Sequence, residues 1–149
     1  MQLTRSETLM KYAGLMYAIM FIGAVLVFIC LPDIMFGMMN GMSRALFPSL
    51  PLAADAGKFW LSLTVSMMVT ITALSIMIYR DVKSNYRMAV PLAVAKFTSS
   101  LFGLGFFIAG FIFPDTSWNT LANLAIMFTD APLGFVMLAL YLAVKKERG

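Results

Sequence analysis

Four long apolar runs alternate along the chain with short clusters of charge and proline. Crossing the hydrocarbon core of a bilayer takes about 20 helical residues, and each run reaches that length. The first extends from about Tyr12 to Leu31 and stops at Pro32-Asp33. The second extends from about Phe59 to Tyr79 and stops at Arg80-Asp81. The third covers about Ala89 to Phe113, before Pro114-Asp115, and the fourth about Leu121 to Val144, before Lys145-Lys146. Helices are expected for all four, because an open sheet would leave unpaired backbone groups in lipid. Between the first two runs lies a long segment, Pro32 to Lys58, that is not polar enough for a free loop. Ile34, Met35, Phe36, Met38, Met39, Met42, Ala45, Leu46 and Phe47 make it amphipathic, and Pro48 and Pro51 break any helix there. A short helix is expected, lying at the outer surface or dipping into the mouth of the bundle.

Composition narrows the class. Hydrophobic residues make up 61% of the 149 positions and charged residues 12%, against about 45–50% and about 25% in soluble domains. That excludes a soluble enzyme and a disordered chain. The expectation is one all-α integral membrane domain over residues 1–149, an antiparallel four-transmembrane-helix bundle with an amphipathic extracytoplasmic loop. The first run exceeds the 7–15 residues of a signal-peptide core, and no small-x-small cleavage site follows it. It is expected to be retained.

Charge sets the direction. Arg5, Lys11, Arg80, Lys83, Arg87, Lys145, Lys146 and Arg148 flank the runs on one side; Arg44 and Lys58 flank them on the other. Basic residues favour the cytoplasmic side, so both termini are expected there. With Glu7, Asp81 and Glu147 that side carries +5, and with Asp33, Asp55 and Asp115 the outer side carries −1. The net +4 therefore reflects topology, and no nucleic-acid partner is expected. Trp60 and Trp118 fall at the outer boundary and Tyr12, Tyr79, Tyr86 and Tyr141 near the inner one, as interfacial anchors do.

Candidate chemistry is sparse. The chain has no histidine and one cysteine, Cys30. It has no nucleotide-binding loop, metal motif or nucleophile–base pair. A Ser–Lys dyad is conceivable in principle, but nothing marks Ser99 or Ser100 beside Lys96 as a nucleophile. No catalytic activity and no cofactor are expected. The informative residues are the charges inside the runs, since an ionisable group in hydrocarbon costs at least about 2.5–3.5 kcal/mol. Lys96 lies roughly 10 Å from the inner boundary and Asp130 roughly 14 Å from the outer one, at 1.5 Å per residue. In a core about 30 Å thick they share nearly the same depth. Ser99, Ser100 and Gly103 share the face of Lys96; Asn123 and Gly134 share that of Asp130.

Two readings stand for each charge. Lys96 and Asp130 pair across adjacent spans, with Ser99, Ser100 and Asn123 as further ligand-binding or coupling groups. Otherwise Lys96 snorkels inward, and Thr129-Asp130-Ala131-Pro132 is a helix start with Asp130 as its cap, breaking or kinking the fourth span. Met35, Met38, Met39 and Met42 repeat at one helix face, and thioethers suit Cu(I); they equally suit adaptable apolar packing. Ala95, Ser99 and Gly103 form a line of small residues, continued on another face by Gly105 and Ala109, for close packing within the bundle or between copies. Hydroxyls in the second run, such as Thr70, Thr72 and Ser75, are expected to bond back to their own helix.

The layout of four spans in about 150 residues, with Leu31-Pro32 closing the first and a long outer first loop, resembles the DoxX-like group of small bacterial membrane proteins. The resemblance implies a four-helix bundle in a bacterial inner membrane that accompanies quinone-linked membrane redox enzymes. It transfers no residue role. Small multidrug resistance transporters are similar in span number but rely on a glutamate in the first span, which here has no charge. Two functions follow as expectations. One is a non-catalytic accessory subunit, or a binder of a lipid or quinone-like ligand, working as a homo-oligomer or in a larger membrane complex. The other is a small proton- or cation-coupled transporter using Asp130 and Lys96.

Overall fold

The computed structural model describes residues 3–52, 58–116 and 118–148, with the side chains of Pro32 and residues 58–62 outside the description. Asp55 and the side chains of Lys58 and Trp60, assigned above to the outer side, therefore lie outside the described residues. The described residues are mostly helical, and none of them lies in a strand. The helices are α1 (Arg5–Cys30), α2 (Pro32–Leu46), α3 (Lys58–Arg80), α4 (Val82–Asn85), α5 (Ala89–Ile112) and α6 (Leu121–Arg148). Four stretches, those of α1, α3, α5 and α6, are long and apolar enough to cross a membrane.

Local chemistry explains the boundaries. α1 begins at Arg5, about two turns before the apolar run, because Thr4 and Glu7 form a capping box. The Glu7 amide donates to Thr4 Oγ1 at 3.2 Å, and the Thr4 amide donates to Glu7 Oε2 at 3.0 Å. α1 stops where Pro32 lacks the N–H that would continue its ladder. The same proline then opens α2 as its first residue. α2 ends at Leu46, just short of Pro48. Asp81 caps α4, accepting from the amides of Lys83 and Ser84 at 3.1 and 3.2 Å. In α3, Thr70, Thr72 and Ser75 donate to the carbonyls of Ser66, Met68 and Ile71, four residues back.

One alternative fails here. α6 runs unbroken from Leu121 to Arg148 with Pro132 inside it, so Asp130 is an interior helical residue and does not cap a helix. Pro132 removes a single ladder bond, to Phe128, and long flanking helical segments carry the element through.

α5 packs along α6 and α1 along α3, and the two pairs meet mainly through α1 and α6. Residues early in α1 meet residues late in α6 and late in α3: Ser6 bonds Glu147 at 2.5 Å, and Lys11 lies over the Tyr79 ring. α5 approaches α6 and the segment just before it closely enough to require glycine. A Cβ on Gly103 would stand 2.7 Å from the Asn123 carbonyl, and one on Gly110 would stand 2.2 Å from the Asn119 amide nitrogen. Gly103 and Ser99 thus serve packing within the chain, whereas Gly105 is exposed with nothing within 4 Å of where its Cβ would be.

The two halves of this assembly differ. Met10 and Tyr17 of α1, Ile78 of α3, Leu92 of α5, and Met137 and Val144 of α6 are fully buried and form a dense core toward the Glu7–Arg148 end. Next to Phe21 a cavity opens between the helices, and α2 contributes Met35, Phe36 and Met39 to its wall. Large apolar side chains such as Ile19, Leu101, Phe111, Phe128 and Phe135 are exposed on the outside of the helices.

Candidate functional site

Where the dense core ends, α5 brings Lys96 against Asp130 of α6. Lys96 Nζ donates to Asp130 Oδ1 at 2.8 Å; the lysine side chain is 4% exposed and the aspartate 17%. Asp130 Oδ2 accepts from the Ser99 hydroxyl, one turn after Lys96. Lys96 Nζ also stands 4.0 Å from the centroid of the Phe21 ring on α1, a cation–π contact. Burying two opposite charges is tolerable only when geometry is good and the remaining polar atoms are satisfied, and both carboxylate oxygens have donors here. The inward-snorkelling alternative for Lys96 is overturned, because its ammonium turns to Asp130 and is enclosed.

The pair forms part of the wall of a cavity of about 520 Å³, bounded by α1, α2, α3, α5 and α6. The rest of the wall is largely apolar: Met20, Phe21 and Phe28 from α1, Met35, Phe36 and Met39 from α2, Met68 from α3, and Ile126 and Leu133 from α6. Two more contacts tie helices together beside it, one between α1 and α6 and one between α5 and α6. The Tyr17 hydroxyl donates to the Leu133 carbonyl, and Gly134 leaves room for the Phe97 ring.

The remaining candidates fall elsewhere. Ser100 faces the Met127 carbonyl at 3.5 Å and belongs to the α5–α6 seam. Asn123 Nδ2 donates to the Trp118 carbonyl at 2.7 Å, tying α6 to the turn before it. Seven residues put Asn123 on the face of Asp130, but two helical turns, about 10 Å, separate them. The four methionines divide: Met35 and Met39 line the cavity, while Met38 and Met42 are exposed. An apolar stripe on α2 has two sides here, so its thioethers do not converge on one ion. Cys30 is exposed. Among the described residues no group of three or more histidine, cysteine, aspartate or glutamate side chains is placed to hold a metal.

Sequence reasoning missed Phe21, Tyr17 and the cavity wall on α1. That helix is apolar on every side, so no periodicity singles out an inward face. It also counted Glu7 and Arg148 only as flanking charges. They form a second ion pair: Arg148 Nε and Nη2 donate to Glu7 Oε1 at 3.0 and 2.7 Å, and Nη1 donates to the Lys83 carbonyl at 2.7 Å. The guanidinium lies 4.8 Å from the centre of the Tyr86 ring, which stacks on Tyr141.

Comparison of the chain with family models, characterised proteins and solved structures finds no match.

Proposed function

We propose that this chain is an antiparallel four-span bundle of a bacterial inner membrane, both termini cytoplasmic, that binds a lipid- or quinone-like molecule without catalysing a reaction. The observation that carries the reading is the cavity of about 520 Å³ with a nearly apolar wall and one ion pair in it. Small-molecule sites span about 300–1,000 Å³ and combine an apolar lining with a few placed polar groups. The methionines and phenylalanines suit a flexible apolar tail. The protein acts as an accessory subunit in an assembly of its own copies or with a larger partner, a reading supported by the exposed, unobstructed Gly105 surface of α5.

The test is binding. Purified protein in nanodiscs is titrated with a short-tailed ubiquinone analogue and with a lysophospholipid, and bound ligand is counted by native mass spectrometry. Saturable one-to-one binding of either supports the reading. Binding that grows linearly with ligand, without saturation, defeats it. A second reading, proton- or cation-coupled transport, draws on the partial exposure of Asp130 beside the cavity. It requires that proteoliposomes show a flux that disappears when Asp130 is neutralised.

A further inference from the structure

We propose that the cavity selects a neutral head group that accepts a hydrogen bond, a ketone or ester carbonyl on an apolar tail, held by Lys96 Nζ. The inference rests on the preceding reading that the cavity takes an amphipathic ligand, and it names the chemistry of that ligand. The argument is a donor and acceptor inventory. Asp130 already accepts at both oxygens, at Oδ1 from Lys96 and at Oδ2 from Ser99, whose hydroxyl also lies 3.0 Å from the Lys96 carbonyl oxygen. The Thr129 hydroxyl donates to the Ala125 carbonyl of its own helix at 2.9 Å. An ammonium has three N–H donors and no acceptor. Lys96 gives one to Asp130 and has the Phe21 ring on one side, which leaves donor capacity on a residue that lines the cavity. The complement of an unused donor is an acceptor.

Charge gives the second half of the selection. Lys96 and Asp130 together are neutral, so a ligand bringing its own charge would disturb a balanced pair in an apolar enclosure. A cationic head would meet the lysine. A carboxylate would compete with Asp130 for the same ammonium and place two anions side by side, which low polarity penalises strongly. A carbonyl adds neither charge nor a donor in need of a partner, and its tail lies along Met20, Phe28, Met35 and Met39.

The experiment uses four probes with tails of matched length: 2-tridecanone, methyl laurate, laurate and dodecylammonium, each titrated into the full chain in nanodiscs. The ketone or the ester binds at least about tenfold more tightly than either charged probe, a factor of ten being about 1.4 kcal/mol. Preference for the ketone over the ester marks a quinone-like head, and the reverse marks a lipid ester. With the ketone labelled with carbon-13 at its carbonyl, the bound C=O stretch moves to lower wavenumber than in hydrocarbon. The Lys96→Met, Asp130→Ala double variant, which strands no charge, returns it to the hydrocarbon value. Tighter or equal binding of laurate or dodecylammonium overturns this proposal while leaving the cavity a ligand site. An unshifted stretch in the unmodified protein overturns it likewise. Absence of saturable binding by any probe, together with none by the quinone analogue or lysophospholipid, removes the ligand reading itself.

Discussion

Two ion pairs among the described residues, Glu7–Arg148 and Lys96–Asp130, use the same elements, one cation and one carboxylate, to opposite ends. In Glu7–Arg148 the carboxylate is the enclosed partner, 4% exposed, and the arginine is 31% exposed. Glu7 closes a capping box with one oxygen and takes two guanidinium bonds with the other, while Arg148 reaches a backbone carbonyl as well. Three segments, the starts of α1 and α4 and the end of α6, are fastened by it. In Lys96–Asp130 the enclosure is reversed: the cation is buried, the carboxylate is partly open, and the ammonium keeps donor capacity at a cavity wall. Arginine, planar and rich in donors, suits the first task, and lysine, a point charge with rotatable donors, suits the second. A charge pair therefore locates a candidate site only when its hydrogen-bond inventory remains open.

The largest expected effect comes from breaking the inner pair. Lys96→Met or Asp130→Ala alone strands a buried charge and costs about 3–5 kcal/mol. The double variant costs far less than the sum. A double-mutant cycle on folded yield and thermal unfolding in detergent reads the coupling, and additive losses would show that the pair contributes nothing. Next comes separation of α5 from α6 without touching charge. Gly103→Ala puts a Cβ 2.7 Å from a backbone oxygen and costs about 1–3 kcal/mol. Gly105→Ala, in open space, is neutral or gains up to about 1 kcal/mol of helix propensity. Equal effects of the two would refute the close α5–α6 seam.

Arg148→Ala is smaller, about 1–2 kcal/mol, because the guanidinium is nearly a third exposed to screening solvent. It lowers the unfolding temperature and leaves probe binding in the cavity unchanged; a loss of binding there would join the two regions that the comparison separates. Smallest is acidification at Asp81, whose carboxyl is held below the usual aspartate value by hydrogen bonding to Ser84. A lowered value means its stabilisation is present at neutral pH and lost as pH falls through the folded-state value. Protection of the Lys83 and Ser84 amides, measured by hydrogen exchange, declines in that window, loosening α4 where Arg148 docks.

Much of this was readable in the chain. Apolar runs bounded by proline and charge located α1, α3, α5 and α6, which are apolar over a length that could cross a membrane. That Lys96 and Asp130 could meet was legible from the helix rise counted across a core of about 30 Å, and their side chains do pair. The amphipathy of Pro32–Leu46 foretold α2, though it could not divide Met35 and Met39 from Met38 and Met42, because all four lie on one broad apolar face and only the packing decides which side of it is covered. Phe21 and Tyr17 were hidden for the same reason on α1. Glu7 and Arg148 stand 141 positions apart, and no local pattern relates such residues until helix packing brings them together.

The order of Lys96 and Asp130 along the chain also bears on biosynthesis. On a chain made from its N-terminus, Lys96 is synthesised 34 residues before Asp130, a delay of roughly 2–7 s at about 5–20 residues per second. If the four apolar helices cross a membrane as proposed, α5 would for that interval carry a cation with no counter-charge. On that reading α5 and α6 would enter lipid at lower cost together, as a hairpin with its charges paired, than one after the other.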